Sequence, residues 1–125
     1  PSVLVMTSED RLEQASWTLK NHLPLLPPYL LGYLALMFEE EVDALGSIEA
    51  KEHFLLNKIK YCASNKESAQ IIGLIILFVE TIKLVQMNNF NAPTLLIDKP
   101  ETDLHPKREA RIMTLINKMR EDLNV

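Results

Sequence analysis

The sequence predicts an α/β fold that is rich in helix and has a small sheet. Two short apolar runs of strand character, Val3-Leu4-Val5-Met6 and Thr94-Leu95-Leu96-Ile97-Asp98, stand far apart in the chain. Between them apolar residues recur at three- and four-residue spacing, and a final helical pattern opens at Pro106. A chain of 125 residues is long enough for one domain with a single core.

The first run, Val3–Met6, suits a buried strand. Ser8 is the expected N-cap of the next helix, with Glu9 and Asp10 as first-turn acids and Leu12, Ala15, Trp17, Leu19 and Leu23 as its apolar positions. Pro24, Pro27 and Pro28 interrupt it. The residue before each proline is pushed out of the helical region, so 23–28 reads as a turn or extended link. A second helix from Pro28 carries Leu30, Leu31, Leu34, Met37, Phe38 and Val42 and ends at Gly46. Ser47 caps a third, with Ile48, Phe54, Leu55, Ile59 and Cys62 on its apolar side. Ser64-Asn65-Lys66-Glu67 has the form of a capping box with Ser64 as the cap, and opens an apolar helix running to about Met87. A loop over 88–93 leads into the second buried strand. The last helix puts Ile112, Leu115, Ile116, Met119 and Leu123 on one face, and Lys107, Arg108, Arg111 and Lys118 on a solvated basic face.

Charge and composition narrow the function classes. A formal charge of −4 argues against a whole-chain polyanion binder and leaves only a local basic patch open. The single Cys62 excludes an internal disulfide and a cysteine-only metal site, and suits a reducing cytosol, so a cytoplasmic location is expected. No leader of basic then apolar residues is visible. The run Ile71–Val85 is broken by Glu80 and Lys83 and falls short of the roughly 20 apolar residues of a membrane span. It reads as a buried helix, with no membrane partner. The start on Pro1 and the stop just after a helix read as those of a segment of a longer protein.

Four places could carry chemistry. Asp98 puts a carboxylate at the C-terminal end of a strand, where open α/β sheets bind ligands; the plainer reading is a turn cap. Glu101 and Asp103 precede a helix whose N-terminus they would stabilise in any case. His105 has no partner at metal-ligand spacing in His22 or His53. The stretch Cys62–Gln70 opens a long helix, whose free N–H groups and dipole suit an anion; the plainer reading is a helix cap.

The stretch Pro93-Thr94-Leu95-Leu96-Ile97-Asp98-Lys99-Pro100-Glu101-Thr102-Asp103-Leu104-His105-Pro106 closely resembles the Walker B segment and D-loop of ABC-class AAA ATPases, which usually read LLIDEPExxLHP. The resemblance implies a helix-rich part of a P-loop NTPase head with a small, mainly parallel sheet. Residues 1–63 would be a strand plus helical subdomain, 64–92 the signature helix and loop, and 93–125 the Walker B strand, D-loop and following helix. Such heads resemble those of anti-phage ATPases, overcoming-lysogenization-defect nucleases and chromosome-maintenance proteins. By that resemblance two heads sandwich ATP and Mg2+ as a homodimer and control a nuclease or toxin partner, or the handling of nucleic acid.

The same resemblance implies roles residue by residue. Asp98 would hold Mg2+ by way of water beside the phosphates. Ser64, Asn65 and Glu67 would sit in the signature region facing the γ-phosphate of the opposite subunit, with Lys66 where the family has glycine. Glu101 and His105 would lie in the D-loop at the dimer interface. Ser8-Glu9-Asp10-Arg11 weakly echoes the Pro-Ala-Glu-Arg-like turn ahead of the signature region. Lys99 departs from the pattern, standing where the family has its catalytic glutamate. An ammonium cannot accept the attacking water's proton unless strongly desolvated. Three readings stay open: nucleotide is bound but poorly hydrolysed, Glu101 substitutes as the acid, or Lys99 is an introduced residue. No G-x-x-x-x-G-K-[ST] occurs, and Gly32, Gly46 and Gly73 cannot form one, so the chain alone cannot bind ATP in the family's normal way. The rivals are a non-enzymatic interaction module on a degenerate ATPase scaffold, and a plain helical domain with a chance motif.

Overall fold

In the computed structural model, which describes residues 3–21, 25–88 and 94–125, strand β1 (Val3–Met6) leads directly into helix α1 (Ser8–Asn21). The cap of α1 is Thr7, one residue ahead of the expected Ser8. Thr7 Oγ1 accepts from the Asp10 N–H at 3.1 Å, and the Asp10 carboxylate accepts from the Thr7 N–H at 2.9 Å. That backbone bond from Thr7, aided by the hydroxyl's, holds the Asp10 carboxyl below its ordinary pKa. The buried stripe of α1 is Arg11, Ala15 and Thr18, while Trp17 is 51% exposed. Leu23 of the expected stripe lies outside the described residues, as do 23–24 of the expected link.

The single helix expected from Pro28 to Gly46 is two. Helix α2 (Pro28–Met37) and helix α3 (Glu39–Asp43) meet at Phe38, whose φ of −113° and ψ of 30° leave helical geometry. Phe38 is fully buried, edge-on to Phe54 at 6.1 Å, with the Arg108 guanidinium 4.4 Å from its ring centroid. Packing at that ring outweighs the local helical pattern. The second helix therefore ends at Asp43, ahead of Gly46, and no described glycine has positive φ. Helix α4 (Ile48–Lys60) starts as expected, with Ser47 Oγ accepting from Ala50 N–H at 3.1 Å, but Ile48 projects outward.

A 3-10 turn (Cys62–Ser64) precedes helix α5 (Lys66–Met87). The residue that caps α5 is Asn65, whose Oδ1 accepts from Ser68 N–H at 3.0 Å. Ser64 lies one residue earlier, in the 3-10 turn, and its hydroxyl donates back to Tyr61 O at 3.0 Å. Along α5, Ile71, Ile72, Leu74, Ile75 and Ile76 are all buried, the pattern of a helix enclosed by others. At 22 residues α5 is long and apolar enough to span a membrane, contrary to the expected shortfall. Its composition is accounted for by burial against α1, α2 and α4.

Strand β2 (Thr94–Ile97) runs parallel to β1, with Val3 opposite Thr94 and Met6 opposite Ile97. This pairing excludes the all-helical reading. Both strands were expected to be buried, yet Val3, Val5 and Leu96 are 58%, 57% and 50% exposed. Successive side chains point to opposite faces, and helices cover only the face bearing Met6, Leu95 and Ile97. Helix α6 (Pro106–Asp122) follows and packs on α2 through Ile112, Leu115 and Met119.

Candidate functional site

Asp98 stands one residue beyond β2, and its N–H extends the ladder to Met6 O at 2.9 Å. Its side chain is exposed at the C-terminal end of the parallel pair. Lys99 follows with φ of 44°, in the left-handed region. Its carbonyl accepts from Thr102 N–H at 3.0 Å, closing a turn over Pro100 and Glu101; Leu104 N–H then donates to Glu101 O at 3.1 Å. Asp103 has φ of 63°, which a short polar side chain tolerates. His105 is the N-cap of α6, its Nδ1 accepting from Lys107 N–H at 3.2 Å, so this imidazole has a structural task.

Behind this loop lies Arg11, wholly buried. Its Nε donates to Gln70 Oε1 at 2.6 Å, Nη2 to Lys99 O at 2.8 Å and Nη1 to Met6 O at 3.3 Å. Gln70 is equally buried, and its Nε2 donates to Ser8 Oγ at 2.8 Å and Ser8 O at 3.2 Å. Burial pushes the Arg11 pKa below its ordinary value, and the negative charges of Asp98, Glu101 and Asp10 counter this. A guanidinium stays charged in either case. The helices can approach so closely only because residue 73 is glycine: a Cβ there would stand 1.9 Å from Arg11 O.

A second link joins α5 to the same loop. Glu67 Oε2 accepts from His105 N–H at 2.6 Å, and Glu67 Oε1 lies 3.3 Å from Arg108 Nε. Arg108 also donates to Glu41 Oε1 at 2.6 Å. Arg111 pairs with Glu39 at 2.6 Å and Glu40 at 3.4 Å. The expected solvated basic face is therefore partly an internal one, since Arg108 and Arg111 dock α6 on the acids that open α3. Lys107 remains exposed.

The first two turns of α5 and the loop 98–105 thus form one unit, although they are some thirty residues apart. Of the residues singled out from the sequence, Glu67, Lys99 and His105 are joined in it by hydrogen bonds. Glu101 contributes its carbonyl to the turn and leaves its side chain exposed. Ser64 is tied to Tyr61, and Asn65 to the helix it caps. The N–H groups of Lys66 and Glu67, in the first turn of α5, have no partner within the helix, as at any helix start. Gln70 closed the candidate stretch Cys62–Gln70 without a role of its own, and Arg11 entered only through a weak echo. The signal for both was Gly73, the glycine inside a helical pattern.

A single exposed carboxylate such as Asp98 could serve Mg2+ only with waters and phosphate oxygens as the remaining ligands. Among the described residues no group of three His, Cys, Asp or Glu side chains could enclose a metal ion. No protein-family model, curated protein or solved structure matches the chain.

Proposed function

We propose that this chain is part of an ABC-class AAA ATPase head that binds ATP and Mg2+ between two copies of the head and hydrolyses it slowly. The observation that carries the reading is the convergence on one buried guanidinium. Arg11, Gln70 and the Lys99 carbonyl belong to the three stretches that resemble the turn before the signature, the signature helix and the Walker B end. A chance motif in an unrelated domain has no reason to bring them together.

In this reading Asp98 holds Mg2+ through water at the C-terminal end of β2. When bound, the ion neutralises charge on the phosphate oxygens. The free N–H groups at the start of α5 face the γ-phosphate of the partner's nucleotide, and Lys66 adds a cation beside them. Lys99 contributes positive charge next to Asp98 but no acceptor for the proton of an attacking water. Nucleotide state then acts on an effector through head association, the effector being a nuclease, a toxin or nucleic-acid handling.

The test uses the whole protein that carries this segment. ATP binding with and without Mg2+, and hydrolysis, are measured for the native protein, Lys99→Glu and Asp98→Ala. Lys99→Glu should raise turnover about a hundredfold, the usual worth of a general base. Asp98→Ala should abolish the Mg2+-dependent part of binding. If no version binds nucleotide, the ATPase reading is wrong and the scaffold serves only as an interaction module.

A further inference from the structure

We infer that Arg11 is a positioning residue: it sets the backbone at Lys99 and thereby the aim of Asp98 and of side chain 99 toward the nucleotide. The inference rests on the nucleotide reading above for its ligand, but not for its geometry. Lys99 has φ of 44°. A residue bearing Cβ is disfavoured in that region, and lysine lacks the short polar side chain that offsets this for Asp103. Surrounding structure must therefore impose the conformation.

The Lys99 carbonyl is held from two sides, by Thr102 N–H at 3.0 Å and by Arg11 Nη2 at 2.8 Å. The first bond lies within the turn and moves with it. The second comes from a group that cannot move. Arg11 is fixed by Gln70 at Nε and by Met6 O at Nη1, and its own carbonyl lies against Gly73 with no space for a methyl group. Burying a guanidinium is costly, and the three acceptors together with the nearby negative charges of Asp98, Glu101 and Asp10 offset that cost. One side chain thereby ties α1, the end of β1, the second turn of α5 and the residue after Asp98. A shift at the start of α5 is thus transmitted through Gln70 and Arg11 to the backbone beside Asp98.

The test separates backbone from side chain. Lys99→Ala and Lys99→Gly both remove the ammonium and differ in freedom to adopt positive φ. Each is made in the whole protein with native Arg11 and with Arg11→Lys. Two readouts are taken: exchange of the Thr102 amide, which needs no nucleotide, and the ratio of ATP affinities with and without Mg2+. With native Arg11 the Ala and Gly variants should match in the affinity ratio, and Thr102 should exchange slowly in both relative to Lys99→Ala in the Arg11→Lys background. With Arg11→Lys, the Ala variant should exchange Thr102 faster and lose Mg2+-dependent affinity by about tenfold, the size of the left-handed cost. Glycine should restore both. If Arg11→Lys does not fold, Gln70→Met, which removes the amide seating the guanidinium, replaces it with the same expectations. Equal behaviour of Ala and Gly in the altered background would overturn the role of Arg11. If no version binds ATP, the nucleotide reading falls while Thr102 exchange still decides what Arg11 does.

Discussion

Gly73 brings α1 and α5 into backbone contact, and its lack of a side chain is what the geometry demands. Gly73→Ala should cost about 3 kcal/mol, because a methyl cannot be accommodated by rotating a flexible neighbour when the neighbour is backbone. Urea denaturation measures this, and the same variant should lift Arg11 from Lys99. A subtler contrast lies at the start of α5. Asn65→Ala should lose about 1 kcal/mol as a missing cap, whereas Ser64→Ala should stay within about 0.5 kcal/mol, as an exposed substitution does. The reverse order would make Ser64 the cap.

Helix α6 is held by unlike means along its length. Its C-terminal half packs through Leu115 and Met119, while its first turns dock by charge on Glu39, Glu40 and Glu41. Glu41 shows what that docking does. Burial by itself raises its pKa, but the Arg108 hydrogen bond and nearby cations outweigh burial and bring it below the ordinary 4.5. A lowered value in the folded state means that folding releases protons. The stabilisation is therefore complete above 4.5 and fades as pH falls through the folded-state value. Glu41→Gln should cost about 1 kcal/mol near neutrality, a modest figure because this side chain is 35% exposed. The gap to the native protein should close on acidification below that window, as read from denaturation at stepped pH. An unchanging gap would mean that shape rather than charge holds α6.

For the molecule as a whole, α5 is the centre and the sheet lies at the margin. Ile75→Ala or Leu115→Ala should cost about 2–5 kcal/mol, since both residues are fully buried. Val5→Thr and Leu96→Thr should each stay within about 0.5 kcal/mol in this chain, because their face of the sheet is uncovered. A large loss there would show the face to be packed in solution. Amide exchange should follow the same order, slowest in α5 and faster in β1 and β2.

Much of this architecture was legible in the residue order. Proline and glycine punctuation, period-3.6 spacing and β-branched runs are local signals; they located both strands and helices α1, α4, α5 and α6 to within a few residues, but ran α2 and α3 together as one helix to Gly46. They also marked Asp98 as a carboxylate past a strand's end and His105 as a residue just before a helix, whereas Lys99 stood out only through the resemblance to the Walker B segment. What they could not reveal depends on residues distant in sequence meeting in space. The Phe38 break arises from a ring packed against Phe54 and Arg108, and Asn65 is the cap while Ser64, one residue earlier, turns to Tyr61. The exposure of Val3, Val5 and Leu96 follows from helices covering only the opposite face of the sheet. Above all, nothing local says that Arg11 is buried: an arginine reads as surface until Gly73 lets its helix approach and Gln70, Met6 and Lys99 supply acceptors. Local propensity specified the elements and the order of the candidate motifs. Long-range packing alone decided that those motifs share one buried charge, because burying a guanidinium is tolerable only where the folded chain brings its partners together.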